Sequence, residues 1–238
     1  MVHATAESYA TRLEETLPVV RERIARAAAA AGREPGAVRL VAVTKSHPVE
    51  AIRAALAAGL EDLGENRVEE LEAKVSEIGP DRATWHMIGH IQTRKARRAI
   101  VAADIIHSVD SLRLAGRIAR AAEDEGRRVR VLAQVNTSGE GSKSGFALES
   151  AHDEVHEVAE LAALDVRGLM TMAPFVDDGA VLTTAFAGLR RLGERLREAG
   201  APVGPELSMG MTNDLEIAVR EGSTMVRIGT ALFGERVR

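Results

Sequence analysis

Short apolar segments alternate with amphipathic segments along most of the chain. The apolar segments span residues 39–44, 62–64, 84–88, 104–107, 129–135, 165–170, 206–209 and 224–228. Their short length indicates strands. Apolar residues at helical spacing predict helices between them, near 49–58, 66–77, 93–102, 111–124, 149–162, 179–199 and 213–221. Regular alternation predicts parallel strands joined by right-handed helical crossovers.

The first segment is different, because it predicts a helix with no strand before it. Leu13, Leu17, Val20 and Ile24 recur at helical spacing, which predicts an amphipathic N-terminal helix over about 6–31. Eight strand–helix units after it predict a closed (β/α)8 TIM barrel over 39–234. An open doubly wound sheet is the alternative, since it shows the same alternation. No linker or internal repeat divides the chain, so we expect a single domain over 1–238.

Composition narrows the possible partners. The 238 residues are 45% hydrophobic, carry a formal net charge of −4 and include no cysteine. Charges of both signs are interspersed, and the one dense basic cluster, 94–98, is typical of a solvated helix face, so no nucleic-acid partner is expected. No signal-like or membrane-spanning stretch occurs in the sequence, and we therefore expect a cytoplasmic protein with no membrane partner.

Lys45 ends the first predicted strand, in the segment Arg39-Leu-Val-Ala-Val-Thr-Lys45. Only four of the 31 lysine and arginine residues are lysines, so a lysine here indicates a need for an amine. Arginine stays protonated in proteins, whereas a lysine amine in a poorly hydrated site can lose its proton and attack a carbonyl. Lys45 is therefore a candidate for an imine with an aldehyde. The alternative is an ordinary lysine at a strand end.

Parallel strands of a barrel deliver their carboxyl ends to one rim, where active sites of this fold gather. Lys45 follows the first strand and Asn66 the second, while Ser208 and the segment 227–230 follow the last two. The loops after the last two strands commonly bind phosphate. Their small residues would let backbone N–H groups approach an anion, although an ordinary capped turn is the alternative.

Three chemical groups therefore meet at the predicted rim. Lys45 offers an amine, Ser208, Gly229 and Thr230 offer a phosphate site, and Arg227 offers a permanent cation. Pyridoxal 5′-phosphate (PLP) has a matching aldehyde, a phosphate and a pyridine nitrogen.

Longer segments around these positions resemble those of a known family. They are Val41-Ala-Val-Thr-Lys45, Gly64-Glu-Asn66, Trp85-His-Met-Ile-Gly-His-Ile-Gln92, Val109-Asp-Ser111, Gly168-Leu-Met170, Leu207-Ser-Met-Gly-Met211 and Gly222-Ser-Thr-Met-Val-Arg-Ile-Gly-Thr-Ala-Leu-Phe-Gly234. In these segments, which extend over almost the whole chain, the sequence resembles the pyridoxal phosphate homeostasis proteins. The resemblance implies a barrel like the alanine racemase N-terminal domain, with PLP held as a Schiff base on Lys45. It also implies that Ser208, Gly229 and Thr230 surround the phosphate.

The same resemblance implies that Arg227 faces the pyridine nitrogen and that Asn66 lies on the phenolic side of the ring, with helix capping as the alternative for Asn66. A fixed cation keeps the nitrogen unprotonated, which weakens the ring as an electron sink and restrains carbanion chemistry. The family implies PLP homeostasis without established catalytic turnover, and transfer of PLP to PLP-requiring apoenzymes. A single-domain PLP-dependent amino-acid racemase or related enzyme is one alternative, and a phosphate-sugar lyase that uses the same lysine is another.

The chain ends four residues after Gly234, so we expect it to lack the carboxyl-terminal domain of the racemases and to be a monomer. Tyr9, the only tyrosine, lies in the opening helix and is a poor substitute for the racemases' catalytic tyrosine. Lys143, in the glycine-rich loop 139–145, matches a family lysine, but a strand end is more rigid than such a loop, which favours Lys45. His152 and His156 share a predicted helix face with several acidic residues, so we expect a solvated surface there and no metal site.

Overall fold

Parallel strands close into a barrel in the computed structural model, which describes residues 6–140 and 144–235. The barrel strands are β1 (Arg39–Val43), β2 (Asp62–Glu65), β3 (Thr84–Met87), β4 (Ile105–Val109), β5 (Val129–Asn136), β7 (Leu164–Met170), β8 (Glu206–Ser208) and β9 (Met225–Ile228), and a two-residue strand β6 (Phe146–Ala147) pairs with the end of β5. Strand β1 pairs in parallel with both β2 and β9, and β4 pairs with β5. This closure confirms the predicted TIM barrel and rules out the open doubly wound sheet.

Helices follow the strands around the outside of the barrel. They are α1 (Ala6–Ala30), α2 (Val49–Ala57), α3 (Val68–Ile78), α4 (Ala96–Ala102), α5 (Leu112–Asp124), α6 (Ala151–Ala159), α7 (Gly179–Glu198), α8 (Leu215–Arg220) and α9 (Thr230–Phe233). Side chains start two of them: Ser111 accepts from the Leu114 N–H at α5, and Asp178 accepts from the first amides of α7. Such caps satisfy amide groups that a helix leaves without partners.

The predicted elements are present, and the main differences are one divided helix and short additional elements. The segment predicted as a helix over 93–102 divides into a 3₁₀ turn, Thr93–Lys95, and the shorter α4. Strand β6 and the four-residue helix α9 were not predicted, because two to four residues are too few to establish a period. Within the described residues, no helix combines the length and hydropathy needed to cross a membrane.

The two faces of each barrel strand have different surroundings: one packs against the helices and the other points into the barrel. The main core lies between barrel and helices and includes the buried Trp85 and Phe186. Inside the barrel, a small apolar cluster consists of Val41, Leu132, Met170 and Met225. Because side chains alternate along a strand, polar residues two positions from these also point inward. This alternation brings Arg227 and Gln134 into the barrel interior.

Helix α1 packs against α2, α8 and α9 and buries one apolar stripe. Three polar residues of α1 reach loops at the carboxyl ends of the strands. The Tyr9 hydroxyl lies 3.0 Å from His47 Nδ1, Thr16 Oγ1 donates to the Leu232 carbonyl (2.9 Å), and Arg23 donates to the Thr212 carbonyl (2.8 Å). The helix therefore contacts the turn after β1, helix α9 and the loop after β8.

Candidate functional site

A cavity of about 530 Å³ opens at the carboxyl ends of the barrel strands. This volume is typical of pockets that bind small molecules. Five of the six residues predicted to bind a cofactor line it, namely Lys45, Asn66, Arg227, Gly229 and Thr230. The structure thus brings the amine, the cation and the small residues of the last loop into one cavity.

Strand register explains why these residues meet. In the β1–β9 pair Ala42 lies opposite Ile228, and in the β1–β2 pair Val43 lies opposite Gly64. Residues a few positions beyond these pairs, on all three strands, must therefore leave the barrel at the same end. The close approach also depends on Gly229, since a Cβ atom there would lie 3.1 Å from the Val43 carbonyl oxygen.

The turn after Lys45 has an unusual backbone. Lys45 is half-buried, and the next residue, Ser46, has a φ of 62°, the one positive φ of a non-glycine residue in the described ranges. This conformation costs a non-glycine residue about 1 kcal/mol or more and persists only where the surroundings hold it. Glu70 holds it here, because its Oε1 accepts from the Ser46 N–H at 2.6 Å.

A buried ion pair lies directly behind this turn. The Lys74 ammonium donates to Glu65 Oε1 (2.7 Å), to Glu70 Oε1 (2.8 Å) and to the Thr44 carbonyl (2.8 Å). The Thr44 hydroxyl donates to the same Glu65 oxygen (2.5 Å). A second lysine therefore fixes the residue before Lys45, and its bonds to two carboxylates leave it poorly suited to react with a ligand.

Glu65 should make the stability of the protein depend on pH. It is fully buried, and its Oε2 has no hydrogen-bond partner among the described residues. Burial raises the pKa of Glu65 from 4.5 to about 6, against the lowering effect of Lys74. Between pH 4.5 and 6 the folded protein consequently binds more protons than the unfolded chain, so the free energy of unfolding falls as pH rises.

We expect this contribution to be about 2 kcal/mol, fully present below pH 4.5 and lost above pH 6. Glu65→Gln should remove it, which urea unfolding at pH 5 and pH 7.5 would measure as a smaller difference between the two pH values than in the wild type. Glu77→Gln, at an exposed carboxyl of α3, is the control for loss of one negative charge. An unchanged pH dependence in Glu65→Gln would contradict the assignment.

Arg227 is a buried cation at the floor of the cavity. Its Nη1 donates to Ser208 Oγ (2.6 Å) and its Nη2 to the Thr171 carbonyl (2.8 Å). Burial lowers the pKa of Arg227 to about 10, while Asp214 acts in the opposite direction. No acceptor for the Nε–H group lies within the described part of the chain. Arg227 lines the cavity, so a ligand there would lie beside a guanidinium with a donor that no described residue uses.

The loops after β8 and β9 provide further donors. Thr212, Asn213 and Gly229 line the cavity, and their backbone N–H groups have no acceptor within residues 6–140 and 144–235. Asp214 makes no side-chain cap to α8; its Oδ1 accepts from the Met211 N–H (2.5 Å) and so closes the loop. Burial raises the pKa of Asp214. The unpaired amides fit an anion such as phosphate.

The structure places Ser208 differently from the other predicted residues. It does not line the cavity: its hydroxyl is fully buried and contacts Arg227 and His107. Its contact with phosphate stays a prediction. Lys143 lies outside the described residues.

Asn66 lines the cavity and does not occupy the cap position of α3, which is Arg67. Gly89, the next residue along the rim, approaches Asn66 so closely that a Cβ atom would lie 2.2 Å from the Asn66 carbonyl oxygen. Only glycine therefore allows the observed contact between the loops after β2 and β3.

Among the cavity residues that sequence reasoning missed are the polar side chains of His47 and Gln134. Gln134 is a polar residue near the end of an apolar strand, which is a signal that the sequence does contain. His47 lies two residues after Lys45 and bonds Tyr9, so the only tyrosine is one side chain removed from the cavity. The described residues contain no group of three or more histidine, aspartate or glutamate side chains suited to a metal ion.

Comparisons with known proteins agree with this geometry. Residues 17–237 match the family model described as the alanine racemase N-terminal domain. A pyridoxal phosphate homeostasis protein of Pseudomonas aeruginosa is 43% identical over 224 residues, which cover 94% of this chain and 96% of the relative. A crystal structure of an unknown protein from Bifidobacterium adolescentis is 39% identical, with a TM-score of 0.91 and coverage of 95% of this chain and 96% of the other.

PipY of Synechococcus elongatus, whose structure has PLP bound, is 39% identical, with a TM-score of 0.77 and coverage of 90% of this chain and all of the other. The predicted resemblance is thus confirmed at the level of family. The chain belongs to the family of pyridoxal phosphate homeostasis proteins, whose barrel is the alanine racemase N-terminal domain.

Proposed function

We propose that this protein binds PLP as a Schiff base on Lys45 and takes part in intracellular PLP homeostasis, including transfer of PLP to apoenzymes. One observation supports this most strongly: Lys45, Arg227 and the loops after β8 and β9 line one cavity, and no described residue accepts from the Arg227 Nε–H or from the amides of these loops at Thr212, Asn213 and Gly229. These groups match the aldehyde, the ring nitrogen and the phosphate of PLP. The relative with PLP bound adds support from the family.

Each part of the cavity has a defined task in this proposal. PLP supplies an aldehyde, which condenses reversibly with a primary amine and releases one water molecule. Lys45 supplies that amine, and the Thr212, Asn213 and Gly229 amides, with Thr230, bind the phosphate. Asn66 contacts the ring from the β2 side, and Ser208 supports the phosphate site through its neighbours.

Arg227 distinguishes storage from catalysis. A guanidinium that donates to the ring nitrogen keeps this nitrogen unprotonated, since a second positive charge beside it would be unfavourable. The neutral ring is a weaker electron sink, so carbanion formation at a bound amino acid is restrained. This argument and the names of the relatives favour homeostasis over the racemase alternative.

Transfer to another protein needs an open path. Phe175 lines the cavity and is nevertheless 92% exposed, and Met172 and Met211 are exposed beside it. The cavity thus opens to solvent at an apolar rim. We propose a monomeric, cytoplasmic protein that releases PLP through this opening to PLP-requiring apoenzymes.

Mixing the PLP-loaded protein with a PLP-requiring apoenzyme tests the proposal. We expect the apoenzyme to regain activity faster than the loaded protein releases PLP to an aldehyde scavenger, because direct transfer avoids free PLP. Reactivation no faster than scavenging would limit the role to storage. Proton exchange at the α-carbon of an amino acid, measured in D₂O and sustained over many turnovers, would instead favour the racemase.

A further inference from the structure

Hydrogen-bonded polar side chains form a chain across the inside of the barrel, here named the interior chain. It runs from Asp62 Oδ1 to His86 Nε2 (2.9 Å), and from His86 Nδ1 to His107 Nε2 (2.8 Å). It continues from His107 Nδ1 to Ser208 Oγ (2.9 Å), and from Ser208 Oγ to Arg227 Nη1 (2.6 Å). Its members lie on five different strands, β2, β3, β4, β8 and β9.

The interior chain connects the two ends of the barrel. Arg227 lines the cavity at the carboxyl ends of the strands, whereas Asp62 is the first residue of β2 and lines a separate groove. His86, His107 and Ser208, which lie between them, are fully buried. Polar groups buried this deeply are costly unless each one is hydrogen-bonded.

The two terminal residues of the interior chain, Arg227 and Asp62, determine the direction of the hydrogen bonds that they make. A guanidinium has only donors, so Ser208 must accept from Arg227. A carboxylate has only acceptors, so His86 must donate to Asp62 from Nε2. The hydrogens on the two inner links, His86 to His107 and His107 to Ser208, are left to be assigned.

With a neutral His107, two arrangements satisfy both ends. In the first, both imidazoles are neutral, His107 donates from Nε2 to His86, and the Ser208 hydroxyl donates to His107 Nδ1. In the second, His86 is a cation that donates at both nitrogens, and His107 donates from Nδ1 to Ser208. Ser208 then accepts two bonds, and its own hydrogen has no acceptor among the described residues.

The first arrangement is favoured because the N–H hydrogens of both imidazoles and the Ser208 hydroxyl hydrogen each have an acceptor in it. Burial, followed by the nearby His86, Arg227 and Arg39, lowers the pKa of His107 well below its ordinary value, so its ring is neutral. A cationic His86 would place a further buried charge beside that ring, with ring centroids 5.0 Å apart. In the first arrangement all four bonds point the same way, from Arg227 towards Asp62.

We propose that Asp62, His86 and His107 are positioning residues, which fix the direction of the interior chain and so hold Arg227 with its Nε–H towards the cavity. Among the described residues no carboxylate contacts this guanidinium: Asp214 acts on it through space, and Asp62 lies four hydrogen bonds away. The Nε–H group, from which no described residue accepts, is therefore left for a ligand. The effect on PLP rests on the proposed function, whereas the direction of the chain does not.

Nitrogen NMR of the cofactor-free protein tests the direction. In protein labelled with ¹⁵N-histidine at pH 7, we expect His86 and His107 both to be neutral with the hydrogen on Nε2, as their two-bond ¹H–¹⁵N correlations would show. His86→Gln and His107→Gln assign the signals. Asp62→Asn replaces the carboxylate with an amide, which can either accept from or donate to His86 Nε2. The direction of the interior chain is then no longer fixed, so we expect His107 to populate both neutral forms, with the hydrogen on Nε2 or on Nδ1. A hydrogen on His107 Nδ1 in the wild type, or a cationic His86, would overturn the proposal.

PLP titration tests the consequence at Arg227. His107→Phe removes the acceptor of the Ser208 hydroxyl, and we expect roughly tenfold weaker PLP binding and a shifted absorbance maximum of bound PLP. His107→Gln, which keeps an acceptor, should recover most of the affinity. His156→Gln, at a half-buried position of α6 outside the cavity lining, is the control. Wild-type affinity and spectrum in His107→Phe would refute the positioning role.

The two measurements separate the possible failures. If the wild type does not bind PLP, the proposed function fails, and the NMR experiment still tests the direction of the interior chain. If His107→Phe does not fold, Asp62→Asn takes its place in the titration, with a weaker affinity and a shifted spectrum expected. A wild-type affinity and spectrum in Asp62→Asn would then count against the proposal.

Discussion

Lys45→Arg is expected to abolish covalent attachment of PLP while it keeps the positive charge at the end of β1. An arginine side chain stays protonated in proteins and does not condense with an aldehyde. We therefore expect no label at this position after incubation with PLP, borohydride reduction and peptide mapping by mass spectrometry. Affinity for PLP should fall on the order of a hundredfold, which corresponds to about 2.7 kcal/mol.

Because the chain has few lysines, peptide mapping can identify which of them carries the label. The chain has four, Lys45, Lys74, Lys95 and Lys143, so each peptide can be followed separately. Lys95→Arg and Lys143→Arg are the matched controls and should be labelled at Lys45 like the wild type. Label on Lys143 in the wild type, with none on Lys45, would reject the proposed attachment site.

Gly89→Ala is expected to damage both the site and the fold. The new Cβ atom would meet three backbone atoms of Asn66, at 2.2, 2.7 and 2.8 Å, and backbone cannot move aside as a flexible side chain can. The loops after β2 and β3 must therefore separate, at a cost of about 1–3 kcal/mol in the free energy of unfolding. Displacement of Asn66 should also weaken PLP binding roughly tenfold.

Gly116→Ala is the matched control for this change. Gly116 lies in helix α5, where the nearest atom to an added Cβ is Arg120 Nη2 at 3.8 Å. Alanine should stabilise this helix by up to about 1 kcal/mol, because it restricts the unfolded chain more than glycine does. Urea unfolding and PLP titration of both variants give the comparison. Equal stability of Gly89→Ala and the wild type would show that the loops separate without cost.

The barrel and much of its cavity followed from the sequence because both depend on local patterns. Alternation of strands and helices predicted a parallel barrel, and the barrel rule then gathered Lys45, Asn66 and Arg227 at one rim. These inferences require only the order of elements and the end of each strand. No contact between distant side chains enters them.

Ser208 shows where this reasoning stops. It is the last residue of β8, a strand of three residues, and a shift of one position reverses the face to which a side chain points. So short a strand does not reveal its register in the sequence. The Ser208 hydroxyl consequently lies among the buried side chains inside the barrel. Thr212 and Asn213, whose amides have no acceptor in the described ranges, line the cavity instead.

The interior chain and the Tyr9–His47 contact could not be predicted from the sequence for another reason, which is that their residues are far apart along the chain. His86 and His107 are 21 residues apart, and Ser208 is 101 residues from His107. Each residue taken alone reads as an isolated polar group in an apolar strand. Their meeting depends on the closure of the whole barrel, and that of Tyr9 with His47 depends on how α1 docks.

Helix α1 also fixes the spacing between the three segments that its polar residues contact. Tyr9, Thr16 and Arg23 are spaced seven residues apart, so they form one stripe that contacts the turn after β1, helix α9 and the loop after β8. A one-residue insertion between them would rotate the later contacts by roughly 100° and advance them by about 1.5 Å. The spacing along α1 therefore sets the relative positions of the turn after β1, helix α9 and the loop after β8. We expect residues 9–23 to tolerate substitution far better than a change in length.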